Sequence, residues 1–278
     1  MPYPASVWSE EQETDTPEAN SRKSKTWYTC IERIRSRRNN IVREVHMRFL
    51  TELHCHTSET SECSDLRGDE LVNLYRAKGF HAMVVTDHYH HKFFHKLDGL
   101  TWNEKVDQFL SGYRSAKQHG DRVGFNVILG MELRFNENLN DYLIFGFDEQ
   151  FLYDYPELYD NTPERFREFA NIHHLLFIQT HPFRKGMVVI NYDVLDGIEI
   201  FNAHPRHLYS NPMAEHCYQE QSKKRSFIAT VGSDCHRIPN VGVAGILTDI
   251  LPQNSFDIAT ILRSGEYKTF RADNDFKT

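Results

Sequence analysis

From Met47 onward the chain alternates short apolar blocks with longer mixed ones. Apolar runs at Phe49–Cys55, Ala82–Thr86, Phe125–Leu129 with Glu132–Phe135, Tyr142–Phe147, Leu175–Thr180, Gly197–Phe201 and Phe227–Val231 have the length and residue types of buried strands. Helical spacing fills most of the gaps. Asp69–Lys78 stops at Gly79, which suits the left-handed position after a helix, and Asn103–His119 stops at Gly120. Thr162-Pro163 joins an N-cap side chain to a proline at the first helical position. Pro212–Lys224 and Ser255–Arg263 complete the set. Strand–helix alternation predicts a parallel sheet with crossover helices, and seven or so strands over about 230 residues suit a closed or nearly closed β/α barrel. The connection after Phe147 is long and carries Tyr, Asp and Pro, which predicts a mobile flap before the helix at Thr162.

Composition narrows the class. A chain of 278 residues can bury one sizeable core, and its 40% hydrophobic and 26% charged content is ordinary for a globular protein. The net charge of −7 argues against general nucleic-acid binding, which needs concentrated Lys and Arg; only a nucleotide-sized substrate fits. No run of about 18 apolar residues suggests a membrane span. Five cysteines at irregular spacing do not form a disulfide framework, so a reducing, cytoplasmic setting is expected. Residues 1–46 differ from the rest. Met1–Asn20 is polar, without an apolar leader core, and a basic stretch follows from Arg22 to Arg38. A disordered or partly helical N-terminal extension is expected over residues 1–46, ahead of a domain over 47–278.

Candidate chemistry sits where the apolar runs end. His54-Cys55-His56 closes the first run, Asp87-His88 follows the second, and Asp234-Cys235-His236 follows the last. Residues two apart on a strand share a face, so His54 and His56 can hold one ion together while Cys55 points away; Asp234, His236 and Cys235 repeat the pattern. Glu132, Asp141, His181, Asn202 and His204 lie at other strand ends. Burying so many imidazoles and carboxylates together without a cation would leave a costly group of unpaired polar atoms. A metal-dependent hydrolase is the expectation.

The ordered set Glu-Leu-His54-Cys-His56-Thr-Ser, Val-Thr-Asp87-His88, Leu-Gly-Met-Glu132, Thr-His181-Pro-Phe-Arg184 and Gly-Ser-Asp234-Cys-His236 resembles the PHP (polymerase and histidinol phosphatase) family of metal-dependent phosphoesterases. The resemblance covers roughly residues 47–240. It implies a distorted seven-stranded β/α barrel with two or three divalent ions, Zn, Mn or Fe, at the strand ends. By that resemblance His54, His56, Glu132 and Asp234 hold a first ion, and Glu132 bridges to a second held by His181. A third takes His88, His236 and an acidic or imidazole residue soon after His56. Glu59 is the choice for that ligand, with Glu62 and Asp65 as alternatives. Asp141 stands where the family often has another His, so it either serves the second ion or leaves that place vacant.

Two cations about 4 Å apart can bind phosphate oxygens and activate water, and no Gly-x-Ser-x-Gly nucleophile motif is present. Arg184 and Arg206 are candidate clamps on a phosphate, since a guanidinium matches a pair of its oxygens. His204 is a candidate ligand, proton donor or pocket wall. His90, His91 and His95 are expected to face solvent or substrate. The sequence thus predicts hydrolysis of a small phosphorylated metabolite or nucleotide. Metal-assisted hydrolysis of an amide-type bond, or a non-catalytic metal-stabilised module, are the alternatives.

Overall fold

The computed structural model describes residues 49–272. The extension expected over residues 1–46 lies outside them. Mixed α/β structure fills the described chain, with eleven strands in two sheets. In the first, β1 (Phe49–Cys55) lies between β2 (Ala82–Val85), its parallel neighbour, and β10 (Ala244–Thr248), which is antiparallel to it. Beyond them lie β4 (Asn126–Leu129), parallel to β2, and β11 (Lys268–Arg271), antiparallel to β10. The second runs in the order β3 (His88–Tyr89), β5 (Met131–Arg134), β6 (Asp141–Phe145), β7 (Leu176–Gln179), β8 (Gly197–Asn202) and β9 (Ile228–Gly232).

One expectation, the wholly parallel sheet, is corrected. The described strands group into two sheets that share an interior: Leu53, Val84 and Ile128 of one pack with Leu143 and Ile178 of the other. Gly130 carries the chain from β4 into β5, and a Cβ there would stand 2.8 Å from Val84 Cγ1. Not every strand is parallel. β6 is antiparallel to both β5 and β7 because the short Phe135–Asn140 link leaves no room for a crossover helix.

The helices are α1 (Gly68–Ala77), α2 (His91–His95), α3 (Trp102–Phe109), α4 (Ser111–Val123), α5 (Glu149–Asp154), α6 (Pro163–Ile172), α7 (Asn211–Ser222) and α8 (Ser255–Ser264). Thr162 caps α6 by accepting from Arg165 N. The single helix expected over Asn103–His119 is two, broken at the buried Leu110, and its C-terminal turn ends at Gly124 (φ 70°) rather than Gly120. Gly120 is instead a close-packing position, where a Cβ would lie 2.5 Å from Phe125 O. The predicted flap is built wall. α5 and a short turn at Leu158–Asp160 bury Leu152, Leu158 and Tyr159, and Trp102 Nε1 donates to Leu152 O (2.8 Å). Aromatic burial of this kind holds a connection in place. No helix among the described residues is long and apolar enough to cross a membrane.

Candidate metal centre

Main-chain hydrogen bonds bring the first strand's end to the loop after β9. His56 N donates to Cys235 O (3.1 Å) and Cys235 N to His54 O (3.2 Å), so His54, His56, Asp234 and His236 come together while Cys55 and Cys235 turn into the core. The pairing of β1 with β2 slips between Glu52 and Cys55. The buried Glu52 sits at that slip: its Oε1 accepts from Leu53 N, His54 N and Ser233 N at 2.9–3.0 Å, and its Oε2 from Tyr75 OH at 2.9 Å. Burial pushes its carboxyl up to about 7, against the pull of these donors. A local bulge of this kind re-aims side chains beside a site.

Glu132 is the hub. β3 and β5 place His88 directly opposite it. His88 Nδ1 lies 2.7 Å from Glu132 Oε2, His181 Nε2 3.1 Å and His54 Nε2 3.3 Å from Oε1, and His56 Nε2 3.6 Å from Oε2. Asp234 Oδ1 stands 3.3 Å from both His56 Nε2 and His236 Nδ1 and 3.6 Å from His54 Nε2. His181 and Asp234 hold left-handed backbone, φ 28° and 46°, which is costly for residues other than glycine and concentrates at functional sites. Donor atoms gather within 4.8 Å in four groups: His54/His56/Glu132, His54/His181/Asp234, Glu132/Asp141/His181 and His56/His88/His236. His54 Nε2 and both ring nitrogens of His56 are buried without a hydrogen-bond partner, and His88 Nδ1 and Glu132 Oε2, though 2.7 Å apart, are not aligned for a hydrogen bond. Orphaned lone-pair atoms aimed at one space are what a bound cation satisfies, and this mixed N/O set suits a borderline divalent ion.

The charges agree. Burial opposes ionisation of Glu132 and Asp234, yet the surrounding imidazoles hold both carboxyls well below their usual range. Burial, helped by His88 and His236, keeps His56 well below its ordinary value, in the neutral form that binds metals.

Supporting residues lie behind the donors. Glu199 Oε1 pairs with His54 Nδ1 (2.9 Å), and its Oε2 accepts from His181 N (3.0 Å) and Asn202 Nδ2 (2.8 Å). Asn202 also donates to Asp234 Oδ2 (3.2 Å), so it orients a donor from behind. Asp87 faces away from the cluster and accepts from Thr57 N, Thr57 Oγ1 and Ser61 Oγ at 2.6–2.7 Å. His207 was not singled out from sequence, yet its Nε2 lies 3.6 Å from Asp234 Oδ2 and its ring 4.7 Å from that of His181.

Other sequence candidates fall elsewhere. Glu59 is not brought to the cluster: its carboxylate accepts from Gly68 N (3.0 and 3.2 Å), where the amides opening α1 favour an anion. Glu62 pairs with Lys96 and Asp65 with Arg237, both in exposed positions. The same loop leaves Cys63 exposed at the edge of the cluster, with its Sγ 3.0 Å from His236 Nε2. Asp141 is buried beside Glu132 and His181 but bound by Arg134 (2.6 and 2.8 Å) and Arg184 (2.9 Å). His204 Nδ1 accepts from Arg206 N (3.2 Å), which leaves Nε2 as the N–H of the neutral ring. His90 caps α2 by accepting from Phe93 N, while His91 and His95 are exposed.

The PHP domain model matches residues 52–270. The chain belongs to the PHP domain family. PHP domains are metal-dependent hydrolases, and the donor groups here suit that dependence. Among solved structures, this PHP domain is similar to PsfC from Pseudomonas syringae, with TM-score 0.55, 14% identity, and coverage of 81% of this chain and 92% of that one. It is also similar to a two-domain protein from Bacteroides vulgatus containing a predicted PHP-like metal-dependent phosphoesterase, with TM-score 0.53, 14% identity, and coverage of 80% and 64%. An amidohydrolase from Chromobacterium violaceum, with bound sulfate and no metal, aligns at TM-score 0.47 and 13% identity over 80% of this chain and 98% of that one. At such identities the likeness shows the fold alone. Comparison with the curated proteins gave no match.

Proposed function

We propose that this PHP domain hydrolyses phosphate esters of a small molecule such as a phosphorylated metabolite or nucleotide. The observation that carries the reading is the charge around the donors. Arg134, Arg184, Lys185, Arg206 and Arg237 all line the roughly 740 Å³ cavity that opens over His181, Asp234 and His236. Asp141 pairs with Arg134 and Arg184, and Asp65 with Arg237, so the mouth keeps an excess of cations in a chain of net charge −7, which suits an anion. The volume fits a metabolite or mononucleotide.

His54, His56, Glu132 and Asp234 would hold one ion, Glu132 and His181 a second with Asp141 beside them, and His88 and His236 a third. Bound divalent ions supply Lewis-acid chemistry at phosphate oxygens and a nucleophilic water. The chain's own groups do the rest. Arg184 and Arg206 clamp phosphate oxygens, and Arg184 is pre-oriented by Asp141 and by Leu139 O (3.1 Å). His204, with its Nδ1 occupied, offers a donor N–H to a leaving oxygen.

The test is metal analysis of the purified protein beside hydrolysis of phosphomonoesters, phosphodiesters and amides. Phosphate-ester turnover that is lost to a chelator and restored by Zn²⁺, Mn²⁺ or Fe²⁺ is expected. Turnover confined to amides, or none at full metal loading, overturns the reading.

A further inference from the structure

The group His56, His88 and His236 brings three imidazoles within 4.8 Å, but the acidic partner sought for it in sequence is engaged elsewhere. A sulfur reaches the edge of this group instead. Cys63 Sγ lies 3.0 Å from His236 Nε2, while His236 Nδ1 lies 2.9 Å from Asp234 O. A ring that gives its Nδ1 proton to a carbonyl presents a lone pair at Nε2, the arrangement metal-binding histidines use. His56 supplies an independent observation. It is fully buried, neither ring nitrogen has a partner, and its ring sits 4.3 Å from that of His88 and 4.4 Å from that of His236. Nitrogen and sulfur bound to one tetrahedral ion at about 2.0 and 2.3 Å stand about 3.5 Å apart, so the observed spacing needs a shift of about half an ångström.

We propose that Cys63 is a thiolate ligand at this position, joining His88 and His236 around a borderline cation such as Zn²⁺, with the first-ion ligand His56 lining the same space. On binding, the thiol proton leaves to solvent and a sulfur–metal bond forms, with no change of oxidation state. Sulfur selects Zn²⁺ over Mn²⁺, which favours oxygen donors. One domain would then hold two kinds of position: N/O groups around Glu132 that accept Mn²⁺, and a sulfur-bearing one that does not. The inference rests on the metal dependence of the family and is independent of which bond is hydrolysed.

The experiment uses the full chain loaded with Co²⁺, whose thiolate complexes show a near-ultraviolet charge-transfer absorption that N/O ligation lacks. Wild type should show this band; Cys63→Ser should lose it and bind one zinc fewer per chain, whereas Cys217→Ser should keep both. Alkylation followed by mass spectrometry provides a readout that needs no variant. Cys63 should react in metal-free protein and be protected at least ten-fold by Zn²⁺ but not by Mn²⁺. Absence of the band in wild type, its persistence in Cys63→Ser, or equal alkylation with and without Zn²⁺ each overturns the proposal.

Discussion

Replacing Glu199 by glutamine tests whether the donors are held from behind. The carboxylate serves His54 Nδ1 on one oxygen, and His181 N with Asn202 Nδ2 on the other. An amide offers one acceptor end and one donor end. Its NH₂ cannot face His181 N and Asn202 Nδ2 without setting donors against donors at two contacts, so it turns to His54. There Nδ1 must become an acceptor, which moves the ring's proton to Nε2. That atom lies 3.3 Å from Glu132 and 3.6 Å from Asp234, and it must carry a lone pair to ligate. Loss of such support typically costs 10- to 100-fold in metal affinity, or about 1.4–2.8 kcal/mol. The metal-free protein also loses the buried carboxylate that helps hold His54 in its charged form, so its stability should fall by roughly 3 kcal/mol. Metal titration by calorimetry and melting of the metal-free form measure the two quantities. Wild-type metal affinity in folded Glu199→Gln would refute the tautomer argument.

Arg184→Ala should reduce kcat/KM for a phosphate ester by roughly 10²-fold, about 3 kcal/mol of transition-state stabilisation, with Arg184→Lys intermediate and metal content unchanged in both; equal turnover in the alanine variant would leave the phosphate reading without its clamp. Gly112→Ala should destabilise the fold by about 1–3 kcal/mol, because a Cβ on α4 would stand 1.8 Å from Thr57 Oγ1 and 3.1 Å from Asp87 Oδ2. Denaturant unfolding with an unchanged midpoint would contradict that packing.

The donor residues can be read from the chain because strands impose a two-residue period and their apolar runs end sharply. Both make His54, His56, Glu132, His181 and Asp234 visible as polar residues at run ends, and the structure gathers them. The third-position partner obeys no such rule. Loop 57–67 is irregular, so spacing does not say which side chain nears the cluster; the Gly68 amide takes Glu59, and Cys63 comes to 3.0 Å from His236. Glu52 and Glu199 carried a readable signal, since a carboxylate in the middle of a buried apolar strand must be satisfied by something. The turn of β6 against its neighbours was equally legible from the short link before Asp141. Leu110 was not: an apolar residue at the expected phase conceals a helix break that only packing reveals.

The tie between Ser233 N and Glu52 Oε1 spans 181 positions of chain. Its consequence concerns synthesis. The two ends of the donor set, His54 with His56 and Asp234 with His236, belong to the first strand and to the loop after the ninth. A nascent chain paused anywhere before β9 therefore lacks a member of two of the four donor groups, and the full set can form only after nearly the whole domain has left the ribosome. Contacts this distant in sequence form late and slowly. Metal capture would then act as a seal on completed chains, since ions that bind only the finished arrangement withdraw it from the unfolding equilibrium.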